Sequence, residues 1–247
     1  MASGSATTLE EPERAAALLS LVLERSPRSR AELSERLGCS EAELRVAALA
    51  LERHALLAHD GDAHLMPGPA ALAFARSVRA REELIDAAQV QLERLAAESG
   101  ETVNLLIPTA DGTEAIAQVD GRHLLGVSTW VGRALPHHAT AAGKLFLAFG
   151  AVTTGARPEA LTAHTIVDPG ALERELETVR ARGYATLVDE LEVGLSVVAA
   201  PVRDAGGAVI AALSVSGPTQ RLPDHRLALL GRVAVEQADT MSAALSR

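Results

Sequence analysis

The sequence predicts an α+β protein built in two parts, and three observations support this fold class. Up to Met66, helical segments with capping signals are followed by a pattern typical of a β-hairpin. Residues 69–98 then read as one long helical stretch. Beyond residue 99, short apolar runs alternate with turn signals and further helical segments, which favours an antiparallel sheet packed by helices.

The N-terminal part contains three predicted helices and a hairpin. Residues 1–11 are small, polar or acidic and are predicted to form a flexible tail, and Pro12 begins the first helix. Ser29 and Ser40 each stand three residues before a glutamate, the capping-box pattern of a helix start. Two apolar runs flank Asp60-Gly61-Asp62, a hairpin signal. This order is that of a winged helix-turn-helix, although a generic small helical domain with a β-turn would share it.

The C-terminal part alternates strands and helices. The predicted strands are 103–107, 115–119, 124–127, 197–202 and 209–215, and the predicted helices are 141–149, 171–182 and 223–245. The resulting division is a tail at 1–11, a winged helix at 12–73, a linker helix at 74–98 and a second domain at 99–247.

Composition excludes several classes of protein. With 48% hydrophobic and 22% charged residues the chain is predicted to fold, and no apolar run is long enough for a membrane helix. A secretory signal is not visible, and the single cysteine, Cys39, cannot form an internal disulfide, so we expect a cytoplasmic protein. The net charge of −9 disfavours bulk attraction to nucleic acid or anionic membranes. The 23 basic residues include one lysine, Lys144.

Six short motifs in order carry a resemblance that covers nearly the whole chain. They are Gly100-Glu-Thr-Val-Asn104, Gly132-Arg-Ala-Leu-Pro136, Ala139-Thr-Ala-Ala-Gly-Lys144, Gly183-Tyr-Ala185 with Glu190 and Gly194, Ala199-Ala-Pro-Val202, and Ala212-Leu-Ser-Val-Ser-Gly-Pro218. With them the chain resembles the IclR-type bacterial transcriptional regulators. The resemblance implies a winged helix that binds operator DNA as a homodimer or dimer of dimers. It also implies a GAF-like effector-binding domain with a small-molecule pocket.

Candidate DNA-binding residues lie around the second and third helices. They are Arg28 and Arg30 for phosphates, Ser40, Ala42 and Arg45 for the major groove, and Arg53 further along the third helix. However, residues 1–80 contain nine Arg and eleven acidic residues, a net charge of −2, and Glu41 and Glu43 fall at the start of the recognition helix. Weak nonspecific binding is therefore expected. The alternative is a metabolite-binding sensor whose degenerate winged helix no longer binds DNA strongly.

A ligand pocket is predicted from strand periodicity. Ser214 and Ser216 are two residues apart, so both point to one face of a strand, while Leu213 and Val215 point to the other. Two hydroxyls on an otherwise apolar face suit a small carboxylate or a similar polar group. The resemblance adds further expected lining residues, namely Ala141, Ala142 and the segment from Leu187 to Val197, in which we single out Leu187, Leu195 and Val197.

Two of these positions bear on the kind of effector. Some relatives bind small keto acids with an acidic side chain and a cysteine, where this chain has Leu187 and Val197. A larger or more hydrophobic effector is therefore expected, such as an aromatic acid or a lactone. Alternatively, both residues only fill the core.

The remaining motifs predict neither an active site nor a metal site. Thr140 is a natural N-cap, so an anionic ligand would be favoured at the helix that follows it. Lys144 could pair with Glu190, a structural role that we favour, or with a ligand carboxylate. Gly-x-Ser-x-Gly, Walker and dinucleotide-binding patterns are missing, as is a Cys/His cluster at metal-ligand spacing. We therefore expect a regulator without enzymatic activity or cofactor.

Overall fold

The chain divides into two units at a point within one long helix. The computed structural model describes residues 10–25, 28–60, 64–123, 131–153 and 158–246. Contacts between Cα atoms separate a unit up to Ala80 from a unit that begins at Arg81. Helix α4 (Pro69–Ser99) is continuous across this point, so residues 74–98 do not form an element of their own. Within the described ranges, no helix combines the length and apolar character that a bilayer-spanning segment needs.

The first unit contains three helices and a two-stranded hairpin, as the sequence predicts. Its elements before α4 are α1 (Glu11–Glu24), α2 (Arg30–Leu37), α3 (Glu41–Arg53), β1 (Leu57–His59) and β2 (Leu65–Pro67). Strands β1 and β2 pair antiparallel. The predicted turn residues Gly61 and Asp62, and residues 1–9 of the predicted tail, lie outside the described residues.

Local signals explain where these helices start and stop. The Ser40 hydroxyl accepts from Glu43 N and the Glu43 carboxylate accepts from Ser40 N, a complete capping box. Helix α2 ends at Gly38, whose φ of +59° favours glycine. Each helix buries one apolar stripe, and the shared core comprises Leu18, Val22, Leu33, Leu44, Ala47, Ala48, Leu51, Leu57 and Leu65.

The second unit is a six-stranded antiparallel sheet packed by helices. Its elements are β3 (Thr102–Pro108), β4 (Thr113–Val119), β5 (Ala134–Leu135), a 3₁₀ turn (His137–Ala139), α5 (Ala141–Ala148), α6 (Pro169–Arg182), β6 (Ala185–Val188), β7 (Leu195–Arg203), β8 (Val209–Pro218) and α7 (Asp224–Leu245). The strand order is β5-β4-β3-β8-β7-β6. The short strands β5 and β6 were not predicted, and the predicted strand 124–127 lies outside the described residues.

The sheet separates two cores. Leu213 and Val215 of β8 belong to a core that also contains residues of α4 and α7. The opposite face packs on α5 and α6, and its core includes Ala212 and Ala199. Ser214 and Ser216 lie on this second face because side chains alternate along a strand, which confirms the predicted alternation. The second face therefore presents hydroxyl groups within an apolar core.

Candidate functional site

A cavity of about 40 Å³ lies between the second face of the sheet and the start of α5. All seven residues predicted to contact a ligand line it: Ala141, Ala142, Leu187, Leu195, Val197, Ser214 and Ser216. The lining also contains Leu191, which lies within the expected segment from Leu187 to Val197, and Asn104, Leu106, Ala115, Leu135 and Thr140, which the sequence analysis did not assign to a pocket. A volume of this size holds only a few water molecules, so a larger ligand requires the lining to move apart.

Strand register brings the lining residues of the sheet together. Asn104 of β3 is directly opposite Ser214 of β8. Ser216 is opposite Val197 of β7, which is in turn opposite Leu187 of β6. Residues paired across antiparallel strands point to the same face. The four strands therefore contribute one polar row, on β3 and β8, beside an apolar row on β7 and β6.

Helix α5 brings its N-terminus to the cavity. The Thr140 hydroxyl accepts from Gly143 N, and the Thr140 carbonyl accepts from Lys144 N. The preceding turn is anchored by His137, whose Nδ1 lies 2.9 Å from Thr113 Oγ1 and whose Nε2 lies 3.2 Å from the Thr109 carbonyl. Burial lowers the pKa of His137 below its ordinary value of 6.5. A neutral imidazole therefore fixes the start of α5.

A loop at 189–194 covers one side of the cavity with Leu191. Asp189 begins this loop with a φ of +59°, and its Oδ1 accepts from Gly194 N and from the Thr219 hydroxyl, both at 2.8 Å. These hydrogen bonds, that from Gly194 first, lower the pKa of Asp189. The Thr165 hydroxyl donates to the Glu190 carbonyl. The loop is thus held by hydrogen bonds at both ends.

A buried ion pair lies beside this loop. Lys144 Nζ is 2.6 Å from Glu190 Oε1 and 3.8 Å from Glu175 Oε1. Lys144 is only 1% exposed. Burial raises the pKa of Glu190, and the Lys144 ammonium opposes that rise. The predicted structural pairing of Lys144 with Glu190 is therefore present.

Helix α3 presents a mixed apolar and basic surface to solvent. Its exposed positions are Glu41, Ala42, Arg45, Val46, Leu49 and Arg53. Val46 and Leu49 are 47% and 51% exposed, which is high for such side chains. Three of the predicted DNA-facing residues, Ala42, Arg45 and Arg53, thus share one open face.

Glu43, near the start of α3, is not a free charge. Its carboxylate accepts from both the backbone and the hydroxyl of Ser40, and it pairs with Arg14 Nη2 at 3.1 Å. These contacts, the Ser40 hydroxyl first, lower the pKa of Glu43. The Ser40 hydroxyl is occupied by the same capping box, so Ser40 sets the start of the helix rather than offering a free hydroxyl.

Arg28 was predicted to contact DNA phosphates, and the structure contradicts this prediction. Its side chain is 4% exposed, and Nε donates to the carbonyls of Leu21 and Arg25 while Nη1 pairs with Glu32 at 2.6 Å. Because the guanidinium satisfies backbone carbonyls inside the unit, it is unavailable to DNA. Arg30 is more open, and its Nη2 lies 3.4 Å from His59 Nε2 on β1.

Comparison with known proteins identifies the family. A family model described as the bacterial transcriptional regulator IclR C-terminal domain matches residues 77–243. The chain belongs to the IclR family of transcriptional regulators. This membership establishes a DNA-binding regulator rather than an enzyme, and regulation by an effector is typical of the family.

Relatives of this IclR-family chain extend the match to its N-terminal unit. The HTH-type transcriptional regulator BhcR of Paracoccus denitrificans is 30% identical over 237 residues, 93% of this chain and 85% of BhcR. The transcriptional repressor IclR of Escherichia coli is 37% identical over 161 residues, which cover 62% of this chain and 59% of the repressor. The crystal structure of Thermotoga maritima IclR, 26% identical, covers 96% of this chain and 98% of its own with a TM-score of 0.63.

Three of the lining residues that sequence reasoning missed, Asn104, Leu106 and Ala115, lie in β3 and β4, which the sequence did predict as strands. A further one, Leu135, lies in a two-residue strand, which periodicity describes poorly. Alternation along β3 could have placed Asn104 and Leu106 on one face, but only the pairing of β3 with β8 brings that face to the cavity. That pairing is a tertiary fact, so this IclR-family pocket was only partly predictable from sequence.

Proposed function

We propose that this regulator binds operator DNA through the open face of α3 and that a small organic acid in the cavity sets its DNA affinity. The observation that carries this proposal is the convergence of strand hydroxyls, an asparagine and a helix N-terminus on one apolar cavity. That combination suits a ligand with one anionic group and an apolar body. Ligand binding would shift how two paired winged helices are spaced and so alter their fit to two half-sites.

The DNA-binding surface consists of Arg30, Ala42, Arg45 and Arg53, together with Val46 and Leu49. Arginine binds guanine edges and phosphates, and small apolar side chains contact the thymine methyl group. The engagement of Glu43 within the capping box supports this assignment over the sensor alternative, because one of the two acidic charges at the start of α3 is already compensated. Glu41 stays exposed.

Fluorescence anisotropy with the upstream region of the protein's own gene tests DNA binding. We expect a specific complex at low salt whose affinity falls as salt rises, with a shallow slope because few phosphates are contacted. Binding to the upstream fragment no tighter than to a scrambled fragment would instead support the sensor alternative.

The effector is proposed to be a carboxylic acid with an apolar or aromatic body. Leu187, Leu191, Leu195 and Val197 line one side of the cavity, and no charged side chain is among its described lining residues. An Ala142→Leu variant tests this assignment by filling the cavity. We expect it to bind the operator but to lose the response to any acid that stabilises the wild type in a thermal-shift screen.

The matched control for that variant is Ala181→Leu, which makes the same change at an exposed position of α6. It should keep the full response to the acid. An unchanged response in Ala142→Leu would argue against this cavity as the effector site.

A homodimer is proposed because α4 exposes apolar side chains. Phe74 is 71% exposed and shares a helix face with Val78, four residues on. A second copy of the chain would cover this face and match a palindromic operator. Light scattering should give twice the chain mass for the wild type and a lower mass for Phe74→Ser/Val78→Ser, whereas equal masses would exclude this face as the interface.

A further inference from the structure

Asn104 is the one asparagine of the chain, and it lies at the cavity. The side chain is 4% exposed and belongs to β3, between strands β4 and β8. Its Oδ1 atom is buried and has no hydrogen-bond partner among the described residues. A buried polar atom without a partner is costly, so its position at a cavity calls for an explanation.

The hydrogen-bond network fixes which atom of the amide is left over. Ser216 Oγ is 3.2 Å from the Thr102 carbonyl, and because a carbonyl can only accept, the Ser216 hydroxyl must donate to it. Ser216 Oγ therefore receives a hydrogen bond from its other neighbour, Asn104 Nδ2, at 3.4 Å. The amide cannot be turned around without placing two acceptors together. Oδ1 is thus left as a hydrogen-bond acceptor.

The N-terminus of α5 offers hydrogen-bond donors, whereas Asn104 Oδ1 is an acceptor. The Thr140 side chain and carbonyl satisfy the N–H groups of Gly143 and Lys144. The N–H groups of Ala141 and Ala142 precede them and have no acceptor within the helix. Both residues line the cavity. The cavity therefore combines donors with a partial positive charge and one neutral acceptor.

We propose that Asn104 selects an effector that carries a hydrogen-bond donor beside its carboxylate, as in a 2-hydroxy acid. The carboxylate binds at the N–H groups of Ala141 and Ala142, and the hydroxyl donates to Asn104 Oδ1. The apolar body contacts Leu187 and Leu191. The corresponding 2-keto acid is disfavoured, because its carbonyl oxygen would face another acceptor. This inference rests on the proposed effector function of the cavity.

Isothermal titration of the full-length protein with matched pairs of acids tests the inference. The pairs are lactate and pyruvate, 2-hydroxyisovalerate and 3-methyl-2-oxobutanoate, and mandelate and benzoylformate, with both enantiomers of each hydroxy acid. Within the pair that binds most tightly, we expect the hydroxy acid to bind about tenfold or more tightly than the keto acid. A keto acid that binds as tightly as its hydroxy partner would overturn the role of Asn104 while leaving the effector site intact.

Asn104→Leu removes the acceptor while keeping similar volume. We expect it to reduce the preference for the hydroxy acid to less than threefold, mainly by weakening the hydroxy acid. The control Thr186→Val removes a hydroxyl from β6 outside the cavity lining and should keep the wild-type preference. If Asn104→Leu does not fold, the titration of the wild type with paired acids still tests whether the cavity prefers hydroxy acids. Failure of every one of these acids to bind would contradict the acid effector itself, and this inference with it.

Discussion

Lys144 Nζ and Glu190 Oε1 form a 2.6 Å ion pair that is almost entirely removed from solvent. The pair connects α5 to the loop at 189–194, so it links two elements that line the cavity. The only lysine of the chain therefore forms a buried ion pair within the second unit. A charge in this setting stabilises the fold only while its partner is present.

Lys144→Met tests that dependence. It leaves the Glu190 carboxylate buried without its cation, which should cost about 3–5 kcal/mol of unfolding free energy at neutral pH. Burial already raises the pKa of Glu190 above its ordinary 4.5, and removal of Lys144 raises it further. The folded state then holds a proton that the unfolded state releases, so the loss should grow as pH rises above about 4.5.

Urea unfolding of the second unit at pH 5 and pH 8 measures this effect. The double variant Lys144→Met/Glu190→Leu should recover most of the stability at pH 8 and lose the pH dependence. A single variant that is equally destabilised at both pH values would show that the charge on Glu190 is irrelevant.

Arg45 and Arg28 should respond differently to replacement by alanine. Arg45 is exposed on α3, so Arg45→Ala should weaken operator binding about tenfold or more without changing the melting temperature. Arg28 satisfies carbonyls inside the unit, so Arg28→Ala should lower the unfolding free energy by about 1–3 kcal/mol. Anisotropy and thermal unfolding of both variants separate the two roles.

Arg232→Ala is the control for charge, since it removes one exposed arginine from α7. It should leave operator affinity nearly unchanged. Equal losses of affinity in Arg45→Ala and Arg232→Ala would mean that only net charge matters.

Ala55→Gly should stabilise the winged helix. Ala55 follows α3 with a φ of +55°, a left-handed conformation that costs a residue with a Cβ atom about 1 kcal/mol or more. Glycine removes this cost, so the melting temperature of the first unit should rise by a few degrees, of the order expected for about 1 kcal/mol. Ala50→Gly, within α3, should lower it by a similar amount. A decrease in both variants would contradict the expected gain.

His137 should make the second unit sensitive to mild acid. Burial lowers its pKa below 6.5, so the unfolded state binds a proton more readily than the folded state. The contribution of the neutral imidazole is therefore intact above pH 6.5 and is lost as pH falls through the lower, folded-state pKa. Thermal unfolding between pH 7.5 and pH 5 should show this loss.

His137→Gln should unfold at a lower temperature than the wild type at pH 7.5 and should lose that part of the pH dependence. His225→Gln, which replaces an exposed histidine of α7, serves as the control and should keep the wild-type dependence. A pH dependence that persists in His137→Gln would assign it to other groups.

The amino-acid sequence determined the features that depend on neighbours along the chain. The serines before α2 and α3 start those helices, and alternation along β8 puts Ser214 and Ser216 on one face. The α+β class and the order of most elements follow from such local patterns, because capping and strand alternation act over a few residues.

The tertiary structure decided what each polar side chain does. Arg28 lies within reach of the carbonyls of Leu21 and Arg25, Glu43 meets Arg14 across 29 positions, and Asn104 meets Ser216 across 112. A charge count treats the first two as free charges near DNA, and no sequence pattern reveals the unpartnered oxygen of Asn104. Hydrogen bonds form between groups that folding brings within about 3 Å, so only the packed structure shows which polar groups are satisfied and which, like Asn104 Oδ1, have no partner among the described residues.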